Sequence, residues 1–206
     1  MVVEIAEVLV SHIQWERAVR IIRSVFPPID LFEDIAEPED WPLLISAEQK
    51  TNPRLLETLG NIDLVPAERR VGGQGASYLM APFTHTSQDR PSRFSDGRLG
   101  VLYIANDFET AVHETSHHHA LLMAATKEAP GWVSQFRELH IDVDAELHDI
   151  RSDEADANCL LDPENYTQAQ LFGAKLRASG SGGIVYASVR GQGDCVGLFY
   201  PDIARN

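Results

Sequence analysis

The residues best able to do chemistry lie between positions 69 and 119, with one further candidate near the C-terminus. His113-Glu114-Thr115-Ser116-His117 spells H-E-x-x-H. On a helix its two histidines fall one turn apart on one face, where they can hold a zinc ion while the glutamate activates a bound water. Against this, Thr115 and Ser116 are polar where such a buried helix usually shows apolar residues, and His118 and His119 extend the run. The available third ligands, Glu128, Glu138 and His140, fit no zinc-hydrolase spacing. A zinc metallohydrolase using His113, Glu114 and His117 is therefore an alternative reading, and no metal is expected. Five arginines, Arg69, Arg70, Arg90, Arg93 and Arg98, stand against only Asp89 and Asp96 in the segment 69–98. Forked guanidinium groups pair well with phosphate oxygens, so this excess fits a pocket for a nucleotide pyrophosphate, or else a set of solvated surface arginines. Ser188, in GGIVYASVRG, has no G-x-S-x-G elbow and reads as a hydrogen-bonding group at a pocket rim or as an ordinary strand serine.

These side chains need elements to position them. FETAVHETSHHHALLMAAT reads as a helix carrying Glu114, with Asn106 and Glu109 as its capping box. SYLMAPF, GVLYIA, FRELHIDV, GIVYASV and CVGLFY read as strands, and YTQAQLFGAKLRASG as a helix ended by Gly180. GQGD between the last two strands reads as a hairpin turn. Gly72-Gly73-Gln74-Gly75 matches neither phosphate-loop pattern and precedes an expected strand, so it reads as a tight turn. Upstream, SHIQWERAVRIIRSVF places Trp15, Ala18, Val19, Ile22 and Phe26 at helical spacing, with Ser11 as N-cap and Pro27-Pro28 as the stop. A second short helical pattern covers Pro53 to Leu59. The expected organisation is a helical N-terminal extension over 1–62 followed by a main domain over 63–206. Short strands interspersed with helices give an α+β (mixed α/β) fold.

The chain of 206 residues carries 17 Lys+Arg against 31 Asp+Glu, a net charge of −14, with 44% hydrophobic residues. That is the composition of a globular domain, and its sign repels a phosphate backbone, which argues against nucleic-acid binding. No apolar run approaches the ~18 residues of a membrane span, and the start carries acids rather than a basic signal region. Cys159 and Cys195 have no metal or redox spacing. A cytoplasmic protein without a membrane partner is expected. The apolar face of Trp15, Ile22 and Phe26 must be covered by the main domain or by another chain, which leaves a homo-oligomer open.

RPSRFSDGRLGVLYIANDFETAVHET, followed by LHDIR and then LLDPENYTQAQLFGAKLRASGSGGIVYASVRGQGDCVGLFYP, closely resembles the RES domain family, named for its Arg, Glu and Ser, over about residues 63–201. The resemblance implies an ADP-ribosyltransferase-like mixed sheet with flanking helices, and an activity on NAD+ as the toxin of a bacterial toxin–antitoxin pair. The antitoxin would carry an Xre-like helix-turn-helix domain. Family members cleave NAD+ by hydrolysis or phosphorolysis, or transfer its ADP-ribose to a protein, so the acceptor here is water, phosphate or a target protein. By the same resemblance the catalytic residues are Arg70 (with Arg69 as its rival), Glu114 and Ser188, while Arg93 and Tyr103 line the NAD+ pocket. The extension over 1–62 and the triple histidine after Glu114 depart from the family pattern.

Overall fold

The computed structural model describes residues 8–50, 52, 55–127, 129, 131–152 and 159–205. In chain order its elements are β1 (Val10–Arg23), α1 (Trp41–Glu48), α2 (Leu55–Leu59), α3 (Ala76–Thr84), β2 (Leu102–Ala105), α4 (Phe108–Ala124), β3 (Phe136–Asp149), α5 (Thr167–Ala178), β4 (Gly183–Ala187), β5 (Asp194–Leu198) and β6 (Ala204–Arg205). This is the expected mixture of sheet and flanking helices. Among the described residues no helix is long and apolar enough to cross a membrane.

The helix expected over residues 11–26 is instead strand β1, antiparallel to β3 from Val10 opposite His148 to Arg23 opposite Phe136. The reason lies in a bulge. Trp15 pairs with Val143 and Ala18 with Ile141, so Glu16 and Arg17 together face Asp142. Arg17 takes a left-handed φ of 54°, and its N–H donates to Asp142 Oδ1 at 2.7 Å. An extra residue shifts the two-residue alternation by one step. Ile13, Trp15 and Ala18 then pack on one core, and the three-residue gap from Trp15 to Ala18 imitates a helical period.

β1 also pairs with β2 at Val19 and Ala105, and the ladder continues β2–β5–β4–β3 back to β1, so the sheet's pairing closes on itself. β3 and β4 are parallel and the other pairs antiparallel. One face packs on α1 and α3 and on Ile29, Ile62 and Val65, through Phe32, Trp41, Met80 and Phe83. The other packs on α4 and α5 through Phe94, Ala111, Phe172 and Leu176. Within the first 62 residues the expected short helix is α2, covering Leu55–Leu59 while Pro53 lies outside the described residues; α1 was not expected, and β1 belongs to the same sheet as β2 to β6.

SYLMAPF, expected as a strand, is helix α3. Ala76, Leu79, Met80 and Phe83 recur at i, i+3, i+4 and i+7, and all four are buried. Gly75, at φ 83°, opens this helix, so the glycine cluster leads into a helix rather than a strand. Other local expectations hold. The β4–β5 hairpin runs in register from Gly183 opposite Leu198 to Ala187 opposite Asp194. Gly180, at φ 82°, ends α5, its N–H donating to Arg177 O at 3.2 Å while Ser181 N donates to Leu176 O at 3.0 Å.

Candidate active site

The N-terminus of α4 fixes one wall of the site. Its cap is Asp107, one residue later than expected: Oδ1 accepts from Thr110 N and Oδ2 from Thr110 Oγ1, both at 2.8 Å. Asn106 Oδ1 accepts from Asp194 N at 3.0 Å instead. Thr110 Oγ1 in turn accepts from Gly193 N at 3.0 Å, which ties the β4–β5 loop to the helix. A Cβ at Gly193 would lie 2.2 Å from Asp107 Oδ2, so only glycine allows this approach.

The loop delivers Ser188 to Glu114, whose Oε1 accepts from Ser188 Oγ at 2.6 Å. The serine oxygen itself accepts from Arg190 N at 3.1 Å and Gly191 N at 2.9 Å. With both lone pairs engaged, the single hydroxyl hydrogen points at the carboxylate. Ser188 is therefore held by the loop so that its hydroxyl orients the Glu114 carboxylate.

Glu114 lines a cavity of about 430 Å³, within the range of small-molecule sites. Arg20, Arg23, Arg93, Tyr103, His118 and Tyr166 also line it. Arg93 is buried; its Nη1 donates to Asp162 O at 2.8 Å and to Leu160 O at 3.2 Å, and its guanidinium lies 4.5 Å from the Tyr166 ring centre. Tyr103 OH accepts from Phe94 N at 3.0 Å and lies 2.9 Å from Ser92 Oγ. Burial pushes that phenol up to about 12, so it stays neutral. Burial pulls Arg20 down to about 10, which leaves it charged at neutral pH, and its Nη1 donates to Tyr103 O at 3.1 Å. The Nε atoms of Arg20 and Arg23 are buried without a hydrogen-bond partner. At the back, burial and then the Glu114 charge push the Cys195 thiol up to about 12, so it is not a thiolate nucleophile. Burial pulls His118 below the usual histidine range, with Glu114 opposing the shift.

A family model for the RES domain matches residues 67–206. The chain belongs to the RES domain family. It is 26% identical over 184 residues to an uncharacterized protein, y4oC, of Sinorhizobium fredii, covering 89% of this chain and 75% of that protein. A chain of the M. tuberculosis MbcT–MbcA toxin–antitoxin complex superposes with a TM-score of 0.38 at 14% identity, over 52% of this chain and 62% of that one.

Of the six RES positions assigned by sequence, the structure brings Arg93, Tyr103 and Glu114 to the cavity and puts Ser188 directly behind it. Arg69 and Arg70 do not line it. Arg70 Nε donates to Val65 O at 3.0 Å and its Nη2 to Ile62 O at 3.3 Å, fastening the turn before α3 on the opposite core. Arg69 pairs with Asp202 at 2.9 Å and stacks on Tyr200. The cavity's further arginines, Arg20 and Arg23, come from β1, outside the matched RES residues. Their available signal was VRIIR, two charges inside a strand whose neighbours are apolar. His113 lies 3.9 Å from Glu109, and the His117 ring meets His118 edge-on at 5.3 Å. Among the described residues no three His, Cys, Asp or Glu side chains come together as a metal site, and Glu128 lies outside those residues.

Proposed function

We propose that this RES-domain protein cleaves the nicotinamide–ribose bond of NAD+. The observation that carries the reading is a carboxylate, Glu114, pinned by Ser188 on the wall of a cavity that also holds Arg20, Arg23 and Arg93. As the C1′–N bond breaks, nicotinamide leaves with the bonding pair and the ribose gains oxocarbenium character. Glu114 stabilises that positive charge and holds a ribose hydroxyl, and a nucleophilic protein side chain is not required. The orphaned Nε atoms of Arg20 and Arg23 suit the pyrophosphate oxygens, because a buried guanidinium N–H without a partner is costly until an anion meets it. Arg93, clamped by two carbonyls, and neutral Tyr103 hold the reacting riboside in place.

In this reading the protein is a toxin restrained by a cognate antitoxin with an Xre-like domain, and the acceptor is water, phosphate or a protein side chain. Proton NMR of NAD+ incubated with the protein, with and without phosphate, tests it. Released nicotinamide is the expected result, with free ADP-ribose marking hydrolysis, ADP-ribose 1″-phosphate marking phosphorolysis, and ADP-ribose on a protein marking transfer. NAD+ left intact under all conditions would contradict it. A strong chelator should leave the rate unchanged, whereas one zinc per chain with chelator-sensitive peptidase activity would support the metallohydrolase alternative.

A further inference from the structure

Beside the Glu114 cavity lies a second one of about 490 Å³, in the crease between α4 and the ends of β1 and β3. The two share Ile21, Thr115, His119 and Phe136 as walls, so they adjoin. Helix α4 serves both: Ala111, Glu114 and His118 face the first, while Phe108, Val112 and Ser116 face the second. Phe108 and Phe136 are 54% and 38% exposed. Two aromatic rings left in water at one crease mark a surface built to be covered. His119 meets Phe136 edge-on at 5.1 Å where the cavities join, and Ser116 and Glu138 add polar groups to the apolar lining.

The NAD+ reading places the reacting riboside against Glu114. A dinucleotide carries a second riboside, with a flat aromatic base, at the other end of its pyrophosphate. We propose that the second cavity holds the adenine riboside, an assignment that rests on the NAD+ reading of the first. The purine lies against Phe108 and Phe136, and Ser116 and Glu138 supply hydrogen-bonding partners for its edge, Glu138 as an acceptor for the exocyclic amine. The pyrophosphate then crosses the shared wall, with Arg23 and Arg20 on the side of the first cavity.

The test compares NAD+ with nicotinamide mononucleotide, which has the scissile bond but no adenine riboside. Phe108→Ala removes an exposed ring and Ala120→Trp fills the second cavity; neither residue lines the first. In both variants KM for NAD+ should rise at least tenfold, with kcat and all kinetics on the mononucleotide unchanged. Equal effects on the two substrates, or none, would overturn the assignment. Calorimetry with AMP tests the cavity independently of turnover: AMP should bind the unaltered protein and not Ala120→Trp, and binding that is absent or indifferent to this substitution would refute the purine site. AMP binding lost in Ala120→Trp, alongside no nicotinamide release from either substrate, would support the purine site and defeat only the cleavage reading.

Discussion

Glu114 and Ser188 stand 74 residues apart and meet at 2.6 Å, and what each contributes follows from counting hydrogen bonds. The serine hydroxyl has one hydrogen and gives it to the carboxylate, while two loop N–H groups hold its oxygen. Ser188→Ala should therefore lower kcat by roughly ten- to a hundredfold, the kinetic equivalent of the ~1.5–3 kcal/mol of a hydrogen bond to a charged group, with little change in KM. A loss confined to KM would place the hydroxyl on the substrate instead. Cys195, buried with its pKa pushed up to about 12, should not react with iodoacetamide at pH 8, and activity should survive the treatment. Tyr103→Phe would leave the Phe94 N–H without its acceptor. It should cost about 1–3 kcal/mol in denaturant unfolding, the desolvation penalty of an unpaired buried donor.

Elements whose pattern is local were legible in the sequence. β2, β4, β5, α4 and α5 each carry their own periodicity and end signals, and they were found where those signals stand. β1 was not, because the bulge at Glu16-Arg17 breaks its alternation. α3 was not, because SYLMAPF is too short an apolar run for its period to separate helix from strand. The same limit hid part of the site: Arg20 and Arg23 come to the cavity that Glu114 lines only through the pairing of β1 with β2 and β3, which no local pattern encodes. Since β1 supplies Ile13 and Ala18 to one core and Val19 to the other, deleting residues 1–62 should abolish cooperative unfolding and cause aggregation. A soluble monomeric fragment with a sharp thermal transition would contradict that role. At the far end of β3, Arg151 donates to Asp149 Oδ1 at 2.9 Å and to Asp194 Oδ2 at 2.9 Å, joining β3 to β5. Burial raises the Asp149 pKa, but hydrogen bonds from the Arg151 side chain and backbone outweigh it and leave the carboxyl below the usual range. The folded pKa is depressed, so this contribution is fully present above the ordinary aspartate range and is lost as pH falls from about 4 through the depressed value. Tm should decline in that window, and Asp149→Asn should lower Tm at neutral pH while flattening the decline.

For the molecule as a whole, the net charge of −14 contrasts with the arginines gathered in one cavity. An antitoxin that restrains the enzyme by occupying this cleft would meet local positive charge within a chain that is negative overall, a pattern that favours an acidic tip on a basic body. Such an antitoxin and a non-hydrolysable NAD+ analogue should exclude one another in a binding competition, and simultaneous binding at undiminished affinity would rule out occlusion. In the proposed reaction Glu114 stabilises the breaking nicotinamide–ribose bond. The most direct test of that role is single-turnover nicotinamide release from NAD+ by the purified protein and by Glu114→Gln, which keeps the side chain's shape and can still accept from Ser188. The rate for Glu114→Gln should be lower by about 10²–10³-fold or more, the scale seen when one group aimed at a transition-state charge is removed, with an unchanged thermal transition. A Glu114→Gln protein that releases nicotinamide at the full rate would contradict that role.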